Sequence, residues 1–312
     1  SGADHTVTTD EDTSYALKES DFGYSQPGDE TDAFQAVKIV TLPASGKLTL
    51  NGSEISAGQV VSLADIQGSK LLYVPADNVN GDAAASFTFA VQDDHGDQDA
   101  FDPTPNTITV NINPVNDAPT VSGTDTNATI DESTNPDEGT AAVYITSNAS
   151  VEDLDLASTS GLTPGQFGDG WLEVSIDGAT PTETLAVANS VLTTLGMSLD
   201  GSSTGINGTT LRINFTDATT TANIQTLINA ITYQNSSDVP DDGQVRTITI
   251  ALHDGVNEQN GHDAGSGGSK SGSFDVHLTL NEQNDPPSGA DHTVTTDEDT
   301  SYALKESDFG YS

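Results

Sequence analysis

The string SGADHTVTTDEDTSYALKESDFGYS stands at residues 1–25 and again, without a substitution, at 288–312. Identity over that length is not chance. It sets a period of 287 residues and predicts one full period followed by the start of the next, as in a tandem array. Solenoids repeat every 20–50 residues or so, because each repeat is one small unit leaning on its neighbours. A period this long is the size of one or two whole domains. The duplication therefore predicts beads on a string, each with its own core. Such arrays add reach and valency without adding chemistry.

Short alternating segments fill the period. Residues 36–40 (AVKIV), 47–50 (KLTL), 71–74 (LLYV), 86–91 (SFTFAV) and 107–112 (TITVNI) read as strands, rich in β-branched and aromatic side chains and separated by turn residues. Asn51-Gly52 tolerates the positive φ of a tight hairpin turn. Strands at this spacing predict an all-β chain of immunoglobulin-like β-sandwiches in series. The grammar restarts after residue 117. Asn116-Asp117-Ala118-Pro119 matches Asn284-Asp285-Pro286-Pro287, and each is preceded by one strand and, before that, by an apolar strand ending in acid. The expected modules are 1–117, 118–287 and an incomplete start at 288–312. The second is longer because residues 220–231 place Ile224, Leu227, Ile228 and Ile231 on one helical face. It also carries a Gly/Ser stretch at 261–272, read as a mobile surface excursion. The terminal copy holds too little to bury its own apolar face. Being identical to 1–25, it is expected to exchange with that segment between molecules.

Forty-eight Asp and Glu stand against eight Lys and Arg, a formal charge of −40. A chain so acidic cannot neutralise phosphates, which excludes nucleic-acid binding and attraction to anionic membranes. Without cysteine, no disulfide staples it. No apolar run reaches the roughly 20 residues of a membrane span. The acids are not scattered. Asp10-Glu11-Asp12, Asp131-Glu132 and Asp297-Glu298-Asp299 open the three modules. Asp29, Glu30 and Asp32, then Glu152-Asp153-Leu154-Asp155, follow on loops. Asp93-Asp94-His95-Gly96-Asp97 and Asp254 close the penultimate strands, and Asn116-Asp117 and Asn284-Asp285 form the linkers. Calcium takes six to eight or so oxygens from such groups. Carboxylates crowded together repel by roughly 1–4 kcal/mol per close pair, and a divalent ion reverses that sign. Proline in each linker adds stiffness. The blander reading of the same acids is a solvated, self-repelling surface.

The stretches NPVNDAPTVSG (113–123), TTDEDTSYAL and the long run from DFGYS to AVQDD resemble the cadherin-like, immunoglobulin-type repeats of giant RTX-type bacterial adhesins, biofilm proteins exported by type I secretion. The second module, with ITYQNSSDVPDDGQVRTITIALHDG at 231–255, is similar to a longer relative in the same proteins. The resemblance covers nearly the whole chain. It implies a non-enzymatic, calcium-rigidified extender on the outside of a bacterial cell, tethered at the outer membrane, whose partners are neighbouring repeats. By position it implies Ca²⁺ ligands at a first junction from Glu11, Asp12, Asp93, Asp94, Asn116, Asp117, Asp153 and Asp155. At the second it implies Asp131, Glu132, Asp254, Asn284, Asp285, Asp297 and Glu298. The chain departs from animal cadherins in lacking a DxNDN linker, and the RTX nonapeptide is absent.

Other signals carry less. The histidines form no HxxxH or HExxH pair, so a zinc site is not expected. His253 alternates outward on its strand. GSGGSKSG fails the phosphate-loop pattern because Ser269 precedes Lys270. Trp171 with Tyr144 and Phe167 suggests either core packing or a glycan-gripping site in 118–287. The second is the alternative function. A salt-adapted spacer without metal is another.

Overall fold

The computed structural model describes residues 1–26, 32–94, 101–125, 127–133, 139–154, 167–237, 243–255, 266–287 and 289–310. The chain divides into two compact units.

The first unit holds Ser1–Asp117, together with the described residues 153–154 and 266–270. Its strands are β1 (His5–Asp10), β2 (Tyr15–Ala16), β3 (Phe34–Thr41), β4 (Lys47–Leu50), β5 (Ser53–Glu54), β6 (Val60–Ser62), β7 (Leu71–Val74), β8 (Gly81–Asp93) and β9 (Asn106–Asn113). They form a five-stranded sheet, β1-β9-β8-β3-β6, and a four-stranded one, β2-β7-β4-β5. Each expected strand lies within one of these. Alternation decides the faces. Phe87, Phe89 and Val91 of β8 and Ile108, Val110 and Ile112 of β9 point inward and are buried. They meet Leu48, Leu71 and Tyr73 of the other sheet in one core. Each such side chain contributes about 1.5–3 kcal/mol by leaving water. Asn51 and Gly52 have φ of 50° and 77°, as the two-residue turn between β4 and β5 requires.

The N-terminal segment serves both sheets. β1 runs parallel along the edge strand β9, with His5 opposite Ile108 and Asp10 opposite Asn113. β2 pairs with β7 in the other sheet. Between them Leu17 and Phe22 enter the core, where Phe22 packs edge-on against Phe89 at 5.0 Å.

The second unit comprises Ala118–Glu152, Gly165–Gly255 and Ser271–Ser312. Its strands are β10 (Thr120–Asp125), β11 (Ala128–Asp131), β12 (Val143–Tyr144), β13 (Thr146–Glu152), β14 (Trp171–Ile176), β15 (Glu183–Ala186), β16 (Ser198–Thr204), β17 (Leu211–Asn214), β18 (Thr232–Asn235), β19 (Val245–His253) and β20 (Ser271–Asn281). A six-stranded sheet runs β11-β20-β19-β14-β17-β16, a three-stranded sheet β12-β18-β15, and β10 pairs with β13. β11 again runs parallel to the last strand, with Asp131 opposite Asn281. Both units are thus β-sandwiches of immunoglobulin-like, cadherin-like type.

The expected helix spans Thr221–Ile228 and buries Ile224, Leu227 and Ile228. Thr220 caps it, accepting from Asn223 N while Asn223 Oδ1 accepts from Thr220 N. Two shorter helices, Leu63–Gln67 and Asn189–Leu195, bury only Ile66 and Leu192 and had no apolar face to read. Of the Gly/Ser stretch, residues 261–265 lie outside the described residues, 266–270 are exposed with a bridge from Ser266 to Val115, and Ser271-Gly272 already belong to β20.

Candidate metal centre

The parallel strand pairs place the opening acids beside the linkers. In the first unit Glu11 N donates to Asn113 O at 2.9 Å, and Asn113 Nδ2 to Asp10 Oδ1 at 2.9 Å. The buried Glu11 carboxylate accepts from Val115 N and from Asn80 Nδ2. Asp12, at φ 54°, accepts from Asn78 N at 3.2 Å. Asn116 is buried, donating from its backbone to Ser266 O and from Nδ2 to Gly268 O, both at 2.8 Å.

The second unit repeats this plan at its own exit. Glu132 N donates to Asn281 O at 3.0 Å, and Asn281 Nδ2 to Asp131 Oδ1 at 3.1 Å. Glu132 Oε2 accepts from Gln283 N at 3.0 Å. Glu132 is only 4% exposed. Its other oxygen, Oε1, and Oδ1 of Asp285 are buried with no hydrogen-bond partner among the described residues. Asn284 is exposed and donates from Nδ2 to Asp285 O.

The penultimate-strand acids sit elsewhere, which corrects the grouping expected from the resemblance. β8 is antiparallel to β9, and Phe89 faces Asn106 at the start of β9. Asp93 lies beyond that, opposite Phe34. Glu11 lies past Asn113, at the other end of β9. The seven residues between span about 23 Å, whereas a calcium ligand must come within about 2.6 Å of the ion. Asp93 and Asp94 therefore cannot share an ion with Glu11 and Asn116. They stand instead at the entry end of the first unit, where Asp94 Oδ1 accepts from Ala33 N at 2.7 Å. Asp93 and Asp102 line a cavity of about 260 Å³ there with Tyr24 and Phe101. Burial, then the nearby carboxylates of Asp93, Asp32 and Asp94, push the Tyr24 hydroxyl above its ordinary pKa.

The same reasoning moves Asp254. His253 faces Ser271 at the start of β20, ten residues and about 33 Å from the level of Asn281. The buried Asp254 is thus at the entry end of the second unit and cannot join Glu132, Asn284 and Asp285. Asp153 follows Glu152, which pairs with Thr120 at the start of β10, just after the linker. Asp169 and Asp217, which were not singled out, follow the same topology: they precede β14 and follow β17 at the Asp254 end. Asp29, Glu30, Asp97 and Asp155 lie outside the described residues. Asp297 and Glu298 are exposed, and among the described residues no strand pairs with 292–297. Among the described residues no three acid or histidine side chains converge as a ready-made metal cage. Asn amides and backbone N–H groups stand between the carboxylates.

Trp171 does not form a platform with Tyr144 and Phe167. Phe167 is core and Tyr144 is largely exposed on a different sheet. His253 stacks on Trp171 at 4.3 Å and Arg212 at 4.2 Å. They come from the strands on either side of β14, so both faces of the indole are covered. His253 is accordingly half-buried, not an exposed surface histidine. Burial, with the charge of Arg212 opposing Glu173 and Asp254, holds its pKa below the ordinary imidazole range.

No family model matches the sequence, and no curated protein matches it. Among solved structures the chain is similar to mouse cadherin-23 EC22-24, with TM-score 0.34, 13% identity and 89% of this chain covered. It is also similar to protocadherin gammaB7 EC3-6, with TM-score 0.32, 11% identity and 92% covered. The chain spans 63% and 48% of those two structures. AggA, the major subunit of aggregative adherence fimbriae type I from Escherichia coli, is similar over 53% of this chain and 97% of its own, with TM-score 0.24 and 15% identity. The class is read from the sheets themselves: tandem cadherin-like β-sandwiches.

Proposed function

We propose that the chain is a non-enzymatic extender of a bacterial surface adhesin, outside the cell, whose linkers are stiffened by Ca²⁺. The supporting observation is the exit end of the second unit. There Glu132 Oε1 and Asp285 Oδ1 are buried without a hydrogen-bond partner among the described residues. Leaving such an oxygen unmatched costs about 1–3 kcal/mol, more when it is charged. A hard cation offsets that cost, and these donors suit one: carboxylate and amide oxygens, with no soft ligand. Glu132, Asp131, Asn284 and Asp285 would hold it. Glu11, Asp12, Asn116 and Asp117 are the equivalent group at the exit of the first unit. Asp254 marks the entry end of the second and Asp93 and Asp94 that of the first, while Asp153 groups with the first unit. The bound ion supplies charge neutralisation and no chemistry, so the carboxylates cease to repel and the linker backbone is held.

At free calcium about 100 times Kd, one site adds about 2.7 kcal/mol. Calcium titration followed by melting temperature and small-angle scattering tests the reading. The expected result is a rise in melting temperature and a more extended, stiffer particle, both reduced in Glu132→Gln. Identical behaviour in EGTA and in millimolar calcium would instead leave an acidic spacer without metal.

A further inference from the structure

The linker that follows β9 is paired on both of its sides. On one side Glu11 N donates to Asn113 O at 2.9 Å, and Val115 N donates to the Glu11 carboxylate. On the other, Ser266 N donates to Pro114 O at 3.1 Å, and Asn116 N donates to Ser266 O at 2.8 Å. Successive residues of an extended chain turn their backbone groups to opposite sides. Residues 113 and 115 thus serve one neighbour, and 114 and 116 the other. The second pairing is a parallel bridge between Val115 and Ser266. A side-chain bond extends it, Asn116 Nδ2 donating to Gly268 O at 2.8 Å. Gly267 and Gly268 take φ of 113° and 66° there, a conformation that a residue with a Cβ rarely adopts. Pro114 has no N–H to leave unmatched. The linker is the middle strand of a small ladder whose outer partner returns from far along the chain.

Residues 266–270 group with the first unit, yet Lys270 is followed directly by Ser271, where β20 of the second unit begins. Pro119 belongs to the second unit and packs on β20: a Cβ at Gly272 would lie 2.0 Å from Pro119 O. The chain therefore runs twice between the same pinned places, at 116–119 and at 268–272. Steps of three and four residues reach at most about 11 and 14 Å. A lone linker swivels about every free φ and ψ. A second passage of similar length, held at both ends, removes that swivel and cuts the conformational freedom a loose hinge would gain.

We propose that residues 266–270 are a strap that locks the first linker without a metal ion. It is a second lock beside the calcium of the proposed extender, and it does not depend on that calcium. Its bonds join neutral groups, and Asn116 is only 3% exposed. Neither a chelator nor screening by salt removes them. The first linker accordingly stays stiff when calcium falls.

Amide exchange in EGTA tests the strap in the intact chain. The Asn116 and Ser266 amides should exchange at least about a hundredfold more slowly than those of an unstructured chain. Exchange at the unstructured rate would overturn the proposal. Ser266→Pro removes the donor to Pro114 O. The chain has no cysteine, so spin labels on Glu54→Cys and Thr194→Cys, both exposed positions, mark one unit each. In EGTA the distance distribution between the labels should broaden when Ser266→Pro is added. Equal widths would also overturn the strap. Calcium separates the two locks, since it should narrow the Ser266→Pro distribution again. A broadening that calcium fails to reverse leaves the strap standing and counts against the calcium reading alone. Should Ser266→Pro not fold, the exchange rates of the unaltered chain decide.

Discussion

At the scale of single residues, the strongest commitment is a buried ion pair. Glu183 on β15 and Arg246 on β19 join the three-stranded and six-stranded sheets of the second unit, Arg246 Nε donating to Glu183 Oε1 at 2.8 Å. Tyr233 OH donates to the same oxygen at 2.8 Å, and Thr180 N to Oε2 at 2.7 Å. Burial, then the bond to Glu183, pushes the Tyr233 hydroxyl far above its ordinary pKa. Removing one partner strands the other's charge, so Arg246→Met is expected to cost about 3–5 kcal/mol by urea unfolding. Replacing both partners with apolar residues should cost much less. Arg246 shares the inward phase of Ile248, Ile250 and Leu252, so its burial was legible in the sequence; its partner, 63 residues earlier, was not. His253 supplies a pH signal. Its folded pKa lies below its unfolded one, so the unfolded chain takes up the proton first. Stability should therefore fall as pH drops through the ordinary histidine value of about 6.5. Melting curves of His253→Tyr should lack that component between pH 7 and 5.

At the scale of elements, caps and close approaches decide more than propensity does. Thr220→Ala removes the side-chain acceptor of the helix Thr221–Ile228 and is expected to cost about 1 kcal/mol by chemical unfolding. Gly170 sits where the ends of β14 and β19 meet, and a Cβ there would lie 2.6 Å from His253 O and 2.8 Å from Asp254 O. Gly170→Ala should therefore destabilise the second unit, and faster amide exchange at His253 and Asp254 would report it. Strands were legible because a period of two marks one buried face. The acid clusters were legible as a group, since Asp, Glu and Asn gather between strands. Their division between the two ends was not. It depends on strand direction: β8 and β19 run against the strands that follow them, which carries Asp93 and Asp254 away from the linkers they precede in sequence.

For the whole molecule, the charge of −40 sets the response to salt. Raising ionic strength from about 0.01 to 0.15 M shortens the screening length from about 30 to 8 Å and should stabilise both units through any salt. Specific sites predict more than screening. Calcium chloride should raise the melting temperature above sodium chloride of equal ionic strength. Equal curves would assign the acids to general repulsion.

The sequence by itself determined what depends on near neighbours: strand periodicity, the Asn51-Gly52 turn and the helix face. Tertiary structure alone decided what depends on distant ones. It chose which acids share an end, which charge meets Arg246, and that Trp171 is covered on both faces. Burial and pairing are properties of partners brought from elsewhere in the chain, and a linear string carries no record of which partners those will be.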